Sequence, residues 1–206
     1  MVKALINAYT ENTYIINEGP DAFIIDPGAH AKEITDYIAA NDLHVKGILL
    51  THGHFDHMYS INEVQAAFDC PIYIHADERD FLFDPNLNLS STIRKAISVK
   101  QKKAIVTIDE TDTLQLGDET ISILHVPGHT RGSVAYRYRR FLFSGDILFK
   151  GTIGRTDLPT SSPEAIEASL RRMVAELDDN TVVYPGHGHF TTILNEKYEN
   201  PFLKHL

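Results

Sequence analysis

A single cysteine, Cys70, stands in a chain of 206 residues. That scarcity excludes a disulfide framework and fits a reducing, cytoplasmic setting. Long apolar runs are missing too. None reaches the roughly 18 residues that a membrane-spanning helix needs, so no membrane partner is expected. The opening stretch MVKALINAYTENTY turns polar too soon for a signal peptide. Positive charge is in short supply, with 19 Lys and Arg against 28 Asp and Glu and a net charge of −9. That balance argues against a nucleic-acid partner. Its two local exceptions, Arg94 to Lys103 and Arg137 to Arg140, read as a solvated face and a protected hairpin turn. No linker rich in Pro, Gly or Ser interrupts the chain, and 43% of it is hydrophobic. One globular domain over residues 1–206 is expected.

Histidine, by contrast, is concentrated. Residues 51–57 read THGHFDH and follow the apolar run Val45 to Leu50, a short buried strand. Ser60-Ile61-Asn62-Glu63 behind it has the form of a capping box, which predicts a helix with Ile61, Val64, Ala67 and Phe68 on one face. Earlier, short β-branched runs at Leu5-Ile6, Thr13 to Ile16 and Ala22 to Ile25 predict an antiparallel start stopped by Asp26-Pro27-Gly28. Ile34, Tyr37 and Ile38 have the spacing of an amphipathic helix over 31–40. After strand 72–74, residues 84–103 read as a long irregular loop, and such loops are often functional. From Thr113 the pattern restarts with strands near 114–116, 120–126, 134–136 and 141–143. Ser162-Pro163 then opens a helix with Ile166, Leu170, Met173 and Leu177 as its stripe. Strand 181–184 and a helix over 191–198 close the chain. Two such halves predict an α/β fold, a four-layer αββα sandwich of two mixed sheets with outer helices.

Four places set a His or Asp just after a predicted strand: His52, His54, Asp56 and His57; Gly128-His129; Gly145-Asp146; and Gly186-His187. A glycine before the ligand in the last three lets the backbone turn sharply at the sheet end. Five histidines and two aspartates suffice for two metal ions with positions left for water. His52 and His54 cannot share a helix face, so they belong to a strand end or loop. Histidine and carboxylate favour Zn, Fe or Mn, and the lack of cysteine ligands argues against a closed structural zinc. Two open ions roughly 3.5–4 Å apart are a hydrolase design. A lone Gly-His or Ser-Gly-Asp is usually only a turn. Four ligand-type residues within six positions, followed by His, Asp and His in order, are not. His30, His44, His75, His125 and His205 read as structural or superficial, and His189 stands two residues beyond His187 with no clear role.

THGHFDH, PGHT, SGD and PGHG in this order resemble the metallo-β-lactamase fold superfamily over nearly the whole chain. The resemblance implies that His52, His54 and His129 hold one divalent metal and that Asp56, His57 and His187 hold the second. Asp146 would then bridge the two ions, and Asp26 would hydrogen-bond a ligand histidine. Zinc is the expected metal, with Fe or Mn as alternatives. Glutamate in place of His54 would mark a flavodiiron oxidoreductase, and Asp146 counts against a true β-lactamase. Residues 148–157 and the ending from Thr191 are similar to small glyoxalase II-like proteins, which are hydroxyacylglutathione hydrolases. That similarity implies a small-molecule thioester substrate such as S-lactoylglutathione and a metal-bridging hydroxide, with Asp56 orienting the nucleophile and Arg155 contacting the glutathione part. Read alone, Arg155 is a surface arginine and Asp26 a turn former. The C-terminal helical domain of full-length glyoxalase II is absent from this sequence, and His189 replaces a family tyrosine. A persulfide dioxygenase, with one iron held by residues matching His52, His129 and Asp146, is the alternative.

Overall fold

Apolar side chains at alternating and helical spacings sort this chain into two mixed sheets, each with its own helices. The computed structural model describes residues 1–204, and the chain divides into two compact units. Residues 1–108 and 115–119 form the first, and residues 109–114 with 120 onward form the second. No helix among the described residues is long and apolar enough to cross a membrane.

In the first unit, strands β1 (Val2–Ile6), β2 (Asn12–Glu18), β3 (Asp21–Ile25), β4 (His44–Leu49), β5 (Ile72–His75) and β6 (Ile105–Ile108) make one sheet in sequence order. The first three are antiparallel, as hairpin turns permit, and β3 to β6 run parallel. Helix α1 (Ala31–Ala40) crosses between β3 and β4, and α2 (Ile61–Phe68) crosses between β4 and β5. Ile34 and Ile38 of α1 join Ile61 and Val64 of α2 in a core with Ile24, Ile48 and Ile72. Each such buried side chain contributes about 1.5–3 kcal/mol relative to exposure.

Two local expectations need correction here. The Ser60 side chain makes no cap bond, because its backbone (φ −104°, ψ 14°) is not extended and its N–H is turned to Pro27 O at 3.0 Å. The buried face of α2 uses Gln65 where Ala67 was expected, and Ala67 is exposed. The helix is only eight residues long and ends at Asp69 in the left-handed region, with Phe68 of its last turn packed on the core.

Residues 84–103 are irregular but internally bonded. Asn88 Nδ2 donates to Phe81 O at 2.7 Å and Ile97 O at 3.0 Å, and Ile97 and Val99 are buried beneath. Arg94, Lys95 and Lys100 face solvent, as the charge pattern implied.

The second sheet has the order β14-β13-β10-β9-β8-β7. Its strands are β7 (Thr113–Leu116), β8 (Glu119–His125), β9 (Val134–Tyr138), β10 (Phe141–Gly145), β13 (Val182–Pro185) and β14 (Thr191–Thr192), with a small hairpin of β11 (Leu148–Phe149) and β12 (Thr152–Ile153) beside them. Strand β9 is antiparallel to both β8 and β10, and β13 is parallel to β10. So β8, β10 and β13 all point the same way and end at one edge. Helix α3 (Pro163–Glu176) lays Ile166, Leu170 and Met173 on this unit's core, while Leu177 is buried just past its last turn. Helix α4 (Ile193–Glu199) starts later than expected because Thr191 and Thr192 pair as β14 with β13.

Candidate functional site

In the first unit, ligand-type side chains collect where parallel strands β3 and β4 end together. Asp26 N–H donates to Leu49 O at 3.0 Å, which sets the turn after β3 beside the loop after β4. Asp26 then accepts the Thr51 N–H on Oδ1 at 2.8 Å and the Thr51 hydroxyl on Oδ2 at 2.6 Å. Its Oδ2 also lies 3.0 Å from His57 Nδ1. A carboxylate on Nδ1 leaves the proton there and the lone pair on Nε2, the form a metal ligand needs. His52 Nδ1 faces the Thr51 hydroxyl at 3.1 Å, which serves the same purpose one residue along.

His52 Nε2 and His54 Nδ1 stand 3.0 Å apart. Two donors bound tetrahedrally to one zinc at 2.0–2.1 Å would stand about 3.3 Å apart, so the pair already has nearly the spacing of a shared ion. Asp56 Oδ2 lies 4.0 Å from His57 Nε2, and both belong to the same short loop. His52, His54 and His57 are almost fully buried.

Three further groups surround this loop, and the sequence reading missed all of them. Glu78 is fully buried and accepts the Gly53 N–H at 2.9 Å. Asn88 O accepts the Phe55 N–H at 2.9 Å. Glu11 is fully buried, accepts from Asn7 Nδ2 at 3.0 Å, and lies with Asp26 and His57 in one buried group. Burial pushes the Glu11 carboxyl well above the usual carboxylate range, opposed by His57 and reinforced by Asp26 and Asp56. An acidic residue in a polar stretch, such as Glu78 in ADERD, reads as a solvated turn, so sequence carried little signal for it.

In the second unit, the common edge of β8, β10 and β13 holds the other group. Gly128 sits at φ +142°, and a Cβ there would fall 2.3 Å from the Ile166 Cα, so only glycine lets this turn pack on α3. His129 Nδ1 lies 3.0 Å from Arg155 O, a backbone acceptor that leaves Nε2 as the donor to a metal. Asp146 Oδ2 lies 3.6 Å from His129 Nε2 and 3.6 Å from His187 Nε2. Both distances are too long for hydrogen bonds. One carboxylate oxygen thus faces two imidazole nitrogens equally.

A family model described as the metallo-beta-lactamase superfamily matches residues 6–187. The chain belongs to the metallo-β-lactamase superfamily. Its two mixed sheets with helices are that superfamily's fold, as the sequence pattern implied. The solved BLEG-1 B3 metallo-β-lactamase superposes with a TM-score of 0.91 at 37% identity, covering 98% of this chain and 99% of that one. TTHA1623, crystallised in a di-iron-bound form, gives 0.85 at 32% identity over 98% of this chain and 100% of its own. Hydroxyacylglutathione hydrolase GloC of Haemophilus influenzae is 34% identical, over 96% of this chain and 95% of GloC. As a member of the metallo-β-lactamase superfamily, this chain is a metallo-hydrolase, and the nitrogen and carboxylate donors described above suit divalent ions.

The remaining residues fall outside these groups. The Arg155 guanidinium is exposed and pairs with Asp157, Nε to Oδ1 at 2.9 Å and Nη2 to Oδ2 at 3.0 Å. His75 Nδ1 caps the helical turn of Ala76–Leu82 by accepting from the Asp77 N–H, and His125 Nε2 meets Arg131 O at 3.1 Å. His30, His44 and His189 are exposed. His205 lies outside the described residues.

Proposed function

We propose that this chain, as one domain, is a cytoplasmic dinuclear thioesterase acting on a small S-acyl thiol of the S-lactoylglutathione type. His52, His54 and His129 would hold one ion, Asp56, His57 and His187 the second, and Asp146 both. The observation that carries the two-metal reading is the Asp146 oxygen placed 3.6 Å from both His129 and His187. A ligand set for a single iron would not require His187 there. When bound, the ions ionise water at neutral pH and polarise the substrate carbonyl. The protein's own part is orientation. Asp26 and Arg155 O hold the His57 and His129 rings in the tautomer that presents Nε2, and Asp56 orients the nucleophile. A thiolate leaves without a general acid, and none is needed in either ligand group.

The thioester supports itself on the GloC relative, whose substrate is a hydroxyacylglutathione by its name. Arg155 would meet the substrate's carboxylate by exchanging Asp157 for it. The test is thiol release from S-lactoylglutathione by zinc-loaded protein, run beside a β-lactam because of the BLEG-1 relative. Thioester turnover without β-lactam turnover is expected. β-Lactam cleavage alone would overturn the substrate assignment, and oxygen uptake with glutathione persulfide by iron-loaded protein would favour the dioxygenase.

A further inference from the structure

The loop from Thr51 to His57 must do something that an isolated His-Gly-His cannot. Two residues apart on an extended chain, His52 and His54 would project side by side with their ring nitrogens free to splay. In this protein those nitrogens stand 3.0 Å apart, so the peptide between them is held. The Gly53 N–H is bonded to Glu78 Oε2 at 2.9 Å, and both partners are buried. Behind it, Phe81 presses so closely that a Cβ on Gly53 would fall 2.3 Å from the Phe81 Cβ. The Phe81 ring centroid then lies 6.0 Å from that of His54. The helical turn Ala76–Leu82 therefore forms a wall behind the first ligand pair, and its Glu78 carboxylate binds the loop backbone between the two histidines.

A buried side-chain oxygen needs a hydrogen-bond donor, and the Gly53 N–H supplies one to Glu78.

We propose that Glu78 is a positioning residue for the metal centre. It grips the Gly53 N–H and so fixes the His52 and His54 nitrogens at the spacing of one shared ion. The proposal rests on the two-metal reading above, but its test separates the two. Wild-type protein, Glu78→Ala, Glu78→Asp and Glu78→Gln are stripped of metal and titrated with Zn²⁺ against a chromophoric chelator, with circular dichroism and Tm recorded in parallel. Glu78→Asp and Glu78→Ala are expected to bind the tighter zinc about 10–100-fold more weakly, the usual cost of losing a group that orients a ligand. Glu78→Gln keeps an oxygen that accepts the same N–H and is expected to retain most of the affinity. Should Glu78→Ala fail to fold, the order of wild type, Gln and Asp decides. Wild-type affinity in a folded Glu78→Asp variant overturns the proposal, and so does a Glu78→Gln variant as weak as Glu78→Asp. Zinc binding absent from wild type would instead overturn the metal reading itself.

Discussion

At the residue scale, the buried acid Glu11 makes the metal-free protein sensitive to pH. Its carboxyl titrates well above the usual range in the native state, chiefly through burial. The native state thus keeps a proton that the unfolded chain gives up, so Glu11's contribution is complete below the unfolded pKa and is lost as pH rises toward the native one. Glu11→Gln keeps the acceptor for Asn7 and removes that loss. In metal-free protein its Tm relative to wild type is expected to be higher at pH 8 than at pH 5, measured by differential scanning fluorimetry. An equal difference at both pH values would contradict it. Cys70 gives a second check. Burial raises its thiol to about 11 and leaves it 4% exposed, so the native protein is expected to resist iodoacetamide at pH 8 and to react once unfolded. The seven metal-type residues were legible in the sequence because His and Asp are conspicuous at strand ends. Glu11, Glu78 and Asn88 were not, since their role comes from burial that neighbouring segments impose, and local composition does not encode it.

At the scale of elements, helix starts separate what sequence encodes from what packing decides. Ser162 is extended (φ −146°, ψ 120°), and its Oγ accepts the Ala165 N–H at 3.1 Å just before Pro163. Ser162→Ala is expected to cost about 1 kcal/mol in urea unfolding. Ser60 offers the same letters in sequence, but the Pro27 carbonyl takes its N–H and turns the backbone, so Ser60→Ala is expected to show no cap loss. Equal losses at the two serines would refute the distinction. On the surface of α3, Arg172 reaches Glu110 at 2.8 Å and Glu176 at 2.9 Å, and its hydrogen bond holds the Glu110 carboxyl below the usual range. Glu110 and Glu176 are exposed and Arg172 is half-buried, so Arg172→Ala is expected to cost no more than about 1 kcal/mol, and less in high salt. Most strands followed from the apolar runs, whereas their order and parallel pairing come from the fold itself. Weak periodicity marked 84–103 as irregular, but the bonds from the Asn88 side chain to Phe81 and Ile97 that organise it leave no periodic signal.

At the scale of the whole molecule, each unit holds one group of His and Asp side chains where its co-directed strands end. The first offers His52, His54, Asp56 and His57, and the second offers His129, Asp146 and His187. The superfamily pattern spans both groups, whereas Arg155, the proposed substrate contact, has a weaker local signature. The central claim is a two-metal thioesterase, and the most direct test is to add metal to stripped protein in measured equivalents. Bound metal per chain, by mass spectrometry, and thiol release from S-lactoylglutathione would be read from the same samples. Saturation at about two ions per chain is expected, with thiol release rising until the second is bound and lost in Asp146→Ala. Saturation at one ion, or a fully loaded protein that releases no thiol, would contradict it.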